Sequence, residues 1–233
     1  MKGLLQIGII ILCTTILMGC RNNLQPQSEN KYYNQIVHLL ETNPDSALQL
    51  FNSINEDSLS EAAFAQKCML AGKITDKLYQ AIIPTHHYER AHHWFSEHGT
   101  PLEQSLILLY LGRSYAEDGE YNHAMTTYTK GMNIAEKYSL FDISGLINSY
   151  MGDLYESKGM IELAIDKYKT AADLFLKDSN KKSYACALRD CGRSYARIDS
   201  IEKAINILLQ ADSIGNEIDN PNVKASIANT IAG

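Results

Sequence analysis

Apolar side chains recur at helical spacing through the second half of the chain. Leu108, Leu111 and Tyr115 stand at positions i, i+3 and i+7, which places them on one face of a helix. The same face returns at forty-residue intervals, as Asn148, Met151 and Tyr155 and then as Leu188, Cys191 and Tyr195. The pattern predicts one helix in each place, with this face turned largely towards a core.

Three further positions keep the forty-residue spacing. A glycine directly follows the second apolar residue, an alanine stands twelve residues after the glycine, and a bulky apolar residue stands four residues after the alanine. The matched sets are Gly112, Ala124 and Tyr128; Gly152, Ala164 and Tyr168; and Gly192, Ala204 and Leu208. Periods of about 20–50 residues are typical of solenoids and related arrays, in which each repeat packs on its neighbours. Since glycine has no Cβ, we expect a paired helix to approach closely at each glycine.

Helix-boundary signals divide the chain at regular intervals. Thr100 and Glu103 form a capping box around Pro101, and Gly99 can end the preceding helix. The helices predicted after this point are at about 101–118, 121–137, 141–158, 160–177, 181–197 and 200–217, with Gly119 and Gly159 in turns. Further helices are predicted at 31–41, after the cap Asn43, at about 59–77, after the cap Thr85, and from Asn220-Pro221.

These residues resemble the tetratricopeptide repeat (TPR), a pair of antiparallel helices with small residues at their crossing and large residues filling the gaps. Three copies cover about residues 105–215, and the alanine-to-bulky spacing recurs at Ala47 and Phe51 and at Ala91 and Phe95. The resemblance implies an all-α, right-handed TPR-type helical solenoid of antiparallel helix pairs. A forty-residue repeat exceeds the common unit of about 34 residues. Because the glycine-to-alanine interval is unchanged, we place the extra residues at the distal helix ends.

The predicted organisation has five segments. We predict a lipoprotein signal peptide at residues 1–19 and a lipid-anchored tether at 20–30. Degenerate N-terminal helical repeats are predicted at 31–98 and three TPR-like repeats at 99–217. Residues 218–233 are predicted to start a further, incomplete repeat. A repeat that stops inside its first helix leaves an apolar face without its partner. We therefore expect either that the natural chain continues past Gly233 or that the reading frame is truncated.

In TPR proteins the first helix of each repeat lines a concave groove. Spacing from each glycine gives nine candidate groove residues: Leu109, Arg113, Ala116, Ser149, Asp153, Glu156, Arg189, Arg193 and Ala196. They predict a polar groove of mixed charge for a protein or peptide partner. In the alternative interpretation, Arg113, Asp153 and Arg193 form a self-neutralising ladder between stacked repeats. The lysine and asparagine pattern of the carboxylate clamp in chaperone-binding TPR proteins is missing, which disfavours capture of C-terminal tails of that type.

The N-terminus has the pattern of a secretion signal. The apolar run from Leu4 to Met18 is too short and too interrupted for a membrane span, which needs about 20 apolar residues. It ends in Leu17-Met18-Gly19-Cys20, which resembles a bacterial lipobox. The resemblance implies that the chain is cleaved before Cys20 and that lipid is added to the Cys20 thiol and to the amino group that cleavage creates. In the alternative interpretation, Cys20 falls by chance in an ordinary signal peptide. Arg21, in place of an aspartate retention signal, favours the outer membrane. The absence of an acidic run after Cys20 favours the periplasmic face.

Charge and composition exclude some classes of protein. The formal net charge of −6 argues against nucleic-acid binding, which calls for a basic face. An apolar content of 45% is enough for a continuous core. The five cysteines do not form a small disulfide framework. Cys186 and Cys191 lie on different faces of a predicted helix, and Cys191 replaces a core leucine, which predicts a buried thiol.

Five histidines occur between residues 86 and 98, at His86, His87, His92, His93 and His98. A zinc-protease helix needs histidines four residues apart, whereas His87 and His92 are five apart and lie about 140° apart around a helix. We therefore predict solvated helix histidines rather than a metal site. A phosphate-binding glycine loop, a nucleophile elbow and a paired CxxC are also missing from the sequence. The prediction is a protein that is not an enzyme and needs no cofactor.

The function predicted from these features is a non-catalytic, membrane-anchored TPR scaffold that mediates protein–protein interaction in the bacterial envelope. Three alternatives remain. A glycan-uptake accessory lipoprotein would also contain TPR helices, although such proteins are much longer and carry aromatic sugar contacts, whereas this chain has a single Trp94. A barrel-assembly lipoprotein is similar in size, anchor and repeat type. The third alternative is the sensor half of a longer TPR signalling or regulatory protein.

Overall fold

A computed structural model describes residues 26–218 and 220–232 of the chain. The predicted signal peptide and Cys20 lie outside these residues. Within them the regular structure consists of eleven α-helices and one short 3₁₀-helix. None of these helices is long and apolar enough to cross a membrane. Contacts between Cα atoms divide the chain between Ile82 and Ile83 into two compact units, an N-terminal unit and a C-terminal unit.

The N-terminal unit has helices of unequal length. They are α1 (Pro26–Thr42), α2 (Pro44–Asn52) and α3 (Glu61–Leu78), with the 3₁₀-helix (Glu56–Ser58) before α3. The prediction that Asn43 caps α2 is confirmed, because its side chain accepts a hydrogen bond from the Ser46 N–H at 3.1 Å. One prediction is wrong, because α1 begins at Pro26 rather than at residue 31, so that residues 26–30 are helical rather than tether. The 3₁₀-helix was not predicted.

The core of the N-terminal unit contains one charged side chain. Ile36, Phe51, Phe64 and Ile74 are at most 2% exposed, and Lys67 beside them is only 7% exposed. The Lys67 Nζ lies 2.7 Å from Glu56 Oε1, 3.3 Å from the carbonyl oxygen of Ile54 and 4.8 Å from the centroid of the Phe51 ring. These partners compensate for the loss of water around the ammonium group.

The C-terminal unit begins with α4 (Thr85–His98) and continues as a uniform series. The next six helices have 17 residues each: α5 (Pro101–Glu117), α6 (Tyr121–Lys137), α7 (Phe141–Ser157), α8 (Ile161–Lys177), α9 (Lys181–Arg197) and α10 (Ile201–Glu217). α11 (Pro221–Ala232) follows. The bounds predicted from the sequence agree within one residue, and the Thr100–Glu103 capping box is present.

One predicted cap in this unit is wrong. α4 starts at Thr85, but its N-cap residue is Pro84 and makes no side-chain cap hydrogen bond. The Thr85 hydroxyl instead lies 2.6 Å from the Ser114 hydroxyl and donates to Asp118 Oδ2 at 2.5 Å. Thr85 thus connects α4 with the C-terminal end of α5 rather than closing the start of its own helix.

The turns between α5 and α10 share one backbone conformation. Each contains a residue with positive φ, at Gly119, Ser139, Gly159, Ser179 and Asp199. After each of these residues an N–H bonds to the carbonyl five residues earlier, as in Glu120 to Tyr115 at 2.8 Å and Asn180 to Phe175 at 2.9 Å. This is the Schellman arrangement, which satisfies the last carbonyls of a helix with backbone donors. Two 17-residue helices and two such turns account for the forty-residue period.

Small residues mark the helix crossings. A Cβ placed on Gly112 would lie 2.5 Å from the Tyr128 ring, one on Gly152 would lie 2.6 Å from the Tyr168 ring, and one on Gly192 would lie 2.7 Å from Leu208. The three glycines therefore allow α5, α7 and α9 to approach α6, α8 and α10, as the sequence predicts. The alanines of the repeat, Ala124, Ala164 and Ala204, are at most 3% exposed at the same crossings.

Candidate functional site

The nine predicted groove residues lie on α5, α7 and α9, the first helices of the three repeats. Side chains on these helices meet across successive repeats at a nearly constant sequence separation. Arg113 reaches Tyr150, Arg193 reaches Glu156, and Arg189 of α9 reaches Ser226 of α11, each pair being 37 residues apart. The surface that carries these contacts, from Arg113 on α5 to Ser226 on α11, is called here the first-helix surface.

Arg113 is part of the packing at the start of this surface. It is 8% exposed, and its guanidinium lies 5.3 Å from the Tyr110 ring centroid and 5.7 Å from that of Tyr150. It also donates to the Tyr150 hydroxyl at 3.2 Å and lies 3.8 Å from Glu117. A guanidinium between two rings gains cation–π attraction and loses most of its contact with water. Arg113 therefore joins two repeats to each other.

Glu156 is the centre of the largest charged network. Its carboxylate accepts hydrogen bonds from Arg193 at 2.9 Å and from Ser194 at 3.2 Å, and it lies 3.1 Å from the Arg197 guanidinium. Burial by itself would raise the pKa of Glu156, but the two guanidinium groups outweigh this effect and hold it below its usual value. Glu156 is therefore ionised at neutral pH and holds two helix-α9 arginines in place.

A second carboxylate extends the network into α9. Asp190 is 9% exposed and binds Arg189 through distances of 2.8–3.0 Å and Arg193 at 2.9 Å. Burial raises the pKa of Asp190, and the two neighbouring guanidiniums oppose that rise. Arg189 also donates to the Ser226 hydroxyl at 2.6 Å. The three arginines of α9 thus share two acidic partners, Glu156 and Asp190.

Asp153 differs from the other acidic residues of the surface. The residue as a whole is exposed, but its carboxylate accepts a partly buried hydrogen bond from the Tyr168 hydroxyl at 2.6 Å. Desolvation by the surrounding helices, together with the nearby negative charges of Asp190 and Glu156, raises the pKa of Asp153 to about 6, although Tyr168 and Arg193 act in the opposite direction. Asp153 can therefore gain and lose a proton close to neutral pH.

The predicted groove residues fall into three groups. Leu109 is 1% exposed and is a core residue, so it cannot line a groove. Arg113 is buried against tyrosines, whereas Ala116, Ser149, Glu156, Arg189 and Arg193 are partly exposed and Asp153 and Ala196 are exposed. Four of the predicted residues, Arg113, Glu156, Arg189 and Arg193, take part in the contacts along the first-helix surface. Asp190, Arg197, Tyr150 and Ser226 take part in the same contacts and were not predicted.

The structure also contains charged pairs between successive repeats, but the partner of Arg193 differs from the one predicted. The sequence analysis paired Arg113, Asp153 and Arg193 because they are equivalent in the repeats. In the structure Arg193 pairs with Glu156 of the preceding repeat, and Asp153 bonds to Tyr168. The difference arises because neighbouring first helices contact each other at a separation of 37 residues, almost one helical turn short of the period.

The histidines and cysteines in the described part of the chain differ in their exposure to solvent. Groups of three or more metal-ligating side chains do not occur in the described part of the chain. His86, His93 and His98 are exposed, whereas His92 is half-buried, and burial, Lys130 and His93 lower its pKa. Cys191 is 1% exposed, as predicted, and burial raises the pKa of its thiol to about 11. A thiol with this pKa stays protonated and packs as an apolar group.

Comparisons with known proteins identify the fold. Solved structures that are similar to this chain include a signal-transduction ATPase with a tetratricopeptide repeat sensor from Pyrococcus horikoshii, with a TM-score of 0.66 and 18% identity over 95% of this chain and 35% of that protein. A putative kinesin light chain from Podospora anserina with TPR-like repeats has a TM-score of 0.57 and 12% identity over 83% of this chain and 97% of that one. The fold is a TPR-type helical solenoid.

A third similar structure is aspartyl phosphate phosphatase F from Bacillus subtilis, with a TM-score of 0.68 and 14% identity over 84% of this chain. This chain spans 53% of the phosphatase and 35% of the archaeal ATPase. No protein-family profile and no curated protein sequence matches the chain. At these identities the likeness establishes the helical architecture, and the function has to be argued from the residues themselves.

Proposed function

We propose that this protein is a non-catalytic, lipid-anchored TPR scaffold of the bacterial cell envelope, which binds a protein or peptide partner on the first-helix surface. The observation that carries the proposal is the network around Glu156 and Asp190. It holds Arg189, Arg193 and Arg197 in fixed positions on one helix of a repeat fold. Side chains that are already ordered lose less conformational entropy when a partner binds.

The exposed parts of this network suggest the chemistry of the partner. The side chains of Arg193 and Arg197 are 40% and 49% exposed although both contact Glu156. A guanidinium has five N–H donors, so each arginine can hold Glu156 and also donate to a carboxylate of a partner. Asp153, at the exposed side of the same surface, offers an acceptor for a basic or hydroxyl group. We infer a peptide segment that carries both kinds of group.

A binding role agrees with how the charged residues are arranged. Glu156 and Asp190 pair with the three arginines of α9, which suits these residues to fix positions rather than to transfer protons. Asp153 is the exception, since its pKa is raised to about 6. A hydrolase activity that Asp153→Asn abolishes would contradict the non-catalytic assignment.

The proposed anchor rests on the sequence Leu17-Met18-Gly19-Cys20. Lipid on Cys20 would tie the chain to a membrane, because each acyl CH₂ buried in a bilayer contributes about 0.8 kcal/mol. Arg21 and the lack of an acidic run after Cys20 favour the outer membrane and its periplasmic face. Mass spectrometry of the mature protein from a membrane fraction should find an N-terminal diacylated or triacylated cysteine. Cys20→Ala should leave an unprocessed chain without lipid, whereas an unmodified Cys20 in the native protein would contradict the anchor.

The proposed binding surface can be tested by affinity capture from the native envelope. Arg193→Glu should remove at least nine-tenths of the captured partner, because it places a negative charge where a partner carboxylate would bind. Lys181→Glu is the matched control, since it makes the same charge change on α9 at an exposed residue that pairs with Glu217. Equal capture by the wild type and by a folded Arg193→Glu chain would show that the network is a structural ladder only.

A second function, the sensor part of a longer regulatory protein, is favoured by one observation. The archaeal protein that is similar to this chain is a signal-transduction ATPase with a tetratricopeptide repeat sensor, and the likeness covers 95% of this chain and 35% of that protein. Under this alternative, Arg193→Glu would change the expression of regulated genes while capture would recover no envelope protein. Recovery of an envelope partner that Arg193→Glu abolishes would favour the scaffold.

A further inference from the structure

The residue that follows α3 combines an uncommon backbone conformation with an exposed aromatic side chain. Tyr79 has a φ of 56°, in the left-handed region, and its N–H donates to the carbonyl oxygen of Thr75 at 2.8 Å. Its side chain is 93% exposed. A bulky residue at positive φ is strained, and glycine or asparagine would end the helix in the same way with less strain. The packing of this chain therefore gives no reason for a tyrosine at position 79.

The chain directly after Tyr79 is open to solvent. Residues 79–84 contain neither helix nor strand. Gln80 and Ala81 are exposed, and Ile82 is partly exposed. Within this described segment, the N–H groups of residues 80–83 form no hydrogen bond with another backbone group. The segment can therefore pair with another extended chain without first breaking a backbone hydrogen bond of its own.

A turn in the regular repeats shows the opposite arrangement. Tyr138 also stands at the end of a helix, and it is 50% exposed. The N–H groups of Tyr138, Ser139 and Leu140 all bond to carbonyl oxygens of α6. A molecule that binds this turn in an extended conformation has to break these bonds first. Exposure of a tyrosine and an open backbone thus occur together at Tyr79 but not at Tyr138.

These two properties are the ones that an endoprotease requires of its substrate. Exposed segments that need little local unfolding are the preferred sites of cleavage in folded proteins. The side chain before the cleaved bond enters a specificity pocket, which can be an apolar slot that accepts an aromatic ring. Lys77, Tyr79, Gln80 and Ala81 are exposed and Leu78 is partly exposed, so that both sides of the Tyr79–Gln80 bond are accessible.

We propose that the peptide bond between Tyr79 and Gln80 is a processing site for an endoprotease that cleaves after aromatic residues. Water adds across this bond, which leaves a carboxylate on Tyr79 and a new amino group on Gln80. α3 ends at Leu78 and α4 begins at Thr85, so the cut interrupts no helix. Only the last turn of α3 has to open when the protease binds.

The consequence of this cut rests on the lipid anchor proposed above. Cys20 precedes the cut, so residues 20–79 would keep the lipid, whereas residues 80–233 would lose their covalent connection to the membrane. The first-helix surface extends from Arg113 to Ser226 and lies entirely in the second fragment. Cleavage would therefore separate the proposed binding surface from its anchor.

Limited proteolysis of the full chain in mild detergent tests the site, with chymotrypsin at low concentration as the probe. The first cut should produce a fragment that begins Gln80-Ala81-Ile82. Tyr79→Asn should slow this cut at least tenfold, because asparagine tolerates the left-handed conformation but lacks the aromatic ring. Tyr79→Phe should keep the rate of the wild type. Tyr138→Asn, which removes an exposed tyrosine from a hydrogen-bonded turn, should leave the rate unchanged.

The same variants test whether the site is used in the native cell. Mass spectrometry of new N-termini should find a fragment that begins at Gln80 in cells with the wild-type chain and in cells with Tyr79→Phe. Cells with Tyr79→Asn should contain only the uncut chain. Circular dichroism of Tyr79→Asn should match the wild type, since the side chain that it replaces is almost fully exposed.

Three results would overturn the proposal. They are a first chymotrypsin cut elsewhere in the folded chain, cleavage of Tyr79→Asn after residue 79 at the wild-type rate, and the absence of a native fragment that begins at Gln80. An unlipidated Cys20 would contradict the anchor but would leave the cut itself unaffected. The two proposals can therefore fail separately.

Discussion

Side chains cap the starts of α2, the 3₁₀-helix and α3 in the N-terminal unit, whereas most helices of the C-terminal unit start without such a cap. In the N-terminal unit Asn43, Asn55 and Ser60 accept hydrogen bonds from N–H groups of the first turns that follow. In the C-terminal unit, α6, α7, α8 and α10 start without a side-chain cap, and the turns between α5 and α10 are Schellman arrangements. A turn made by the backbone can repeat at a constant length while its sequence changes.

The two units also differ in how small residues and charged residues are packed in their cores. The C-terminal unit brings helices together over glycines that contact large side chains, such as Gly152 and Tyr168. The N-terminal unit contains a buried lysine that needs Glu56 and a backbone carbonyl as partners. The helix crossings of the C-terminal unit therefore depend on shape, whereas the core of the N-terminal unit depends on the ion pair between Lys67 and Glu56. The predictions below test this contrast, beginning with the largest expected effect.

Gly152→Leu should destabilise the C-terminal unit most. A Cβ added at this position would lie 2.6 Å from the Tyr168 ring, so a leucine would force α7 and α8 apart. Overpacking of this kind costs about 3 kcal/mol, and the melting temperature should fall by about 6–12 °C. Differential scanning calorimetry measures the melting temperature. Asp166→Leu, which adds a leucine at an exposed position of α8, should change the melting temperature by less than about 2 °C. An unchanged melting point for Gly152→Leu would refute the role of shape.

Lys67→Ala should destabilise the N-terminal unit by about 2 kcal/mol, because it removes packing and leaves Glu56 without this partner. Lys77→Ala breaks a comparable pair with Glu41, but both side chains there are more than one-third exposed. An exposed pair contributes about 0–1 kcal/mol, so the control should cost much less. Urea denaturation gives both free energies of unfolding. Equal losses for the two variants would show that burial of Lys67 does not matter.

The positive-φ positions allow a two-way test of the backbone turns. Gly159→Ala should lower the free energy of unfolding by about 1 kcal/mol, because a Cβ is unfavourable at a φ of 73°. Ser179→Gly should raise it by up to about 1 kcal/mol, since Ser179 carries that cost at a φ of 60°. The two changes should shift the urea midpoint in opposite directions. Shifts of the same sign would contradict the proposed role of the turns.

Asp153→Asn should have the smallest effect on the free energy of unfolding, and this effect should depend on pH. The folded pKa of Asp153, about 6, exceeds its usual value of 3.8, so the stabilisation from its protonated form is complete below pH 3.8 and is lost as the pH rises through 6. Asp153→Asn keeps an acceptor for Tyr168 and cannot ionise. Its stability relative to the wild type should therefore increase between about pH 4 and pH 7, by less than about 1 kcal/mol because Asp153 is exposed to solvent.

Urea denaturation at the two pH values measures this change, with Asp166→Asn as the exposed control. Glu156 should behave in the opposite way, since its pKa is lowered. Its contribution is complete above its usual value of 4.5 and is lost as the pH falls through the lower, folded value. A pH-independent difference between Asp153→Asn and the wild type would show that Asp153 titrates normally.

Much of the C-terminal unit was predictable because its signals are local. Glycine at fixed positions, the Thr100–Glu103 capping box and the period of the apolar residues together set helix bounds to within one residue. Ser139, Ser179 and Asp199 were not identified as positive-φ residues, because neither serine nor aspartate carries the signal that glycine gives. The N-terminal unit was less predictable, since the register of Lys67 and Glu56 depends on tertiary packing.

The candidate site was predicted in part for a geometric reason. Counting from the repeat glycines identified Arg113, Glu156, Arg189 and Arg193, which contact one another or neighbouring helices. It could not show that successive first helices contact each other 37 residues apart, and so it paired Arg193 with Asp153 instead of Glu156. It also missed Asp190, whose burial between two arginines becomes visible only when the helix is packed. Leu109 was misassigned because neighbouring positions on a helix can face either a groove or a core.

Site-specific photocrosslinking in the native envelope tests the central claim most directly. A photoreactive residue at Ser149, on the first-helix surface, is compared with one at Thr170, on the exposed side of α8. The account predicts a protein adduct at residue 149 that Arg193→Glu abolishes and Lys181→Glu retains, with no adduct at residue 170. Adducts of equal yield at both positions, or an adduct at residue 149 that a folded Arg193→Glu chain retains, would contradict a binding surface built on the first helices.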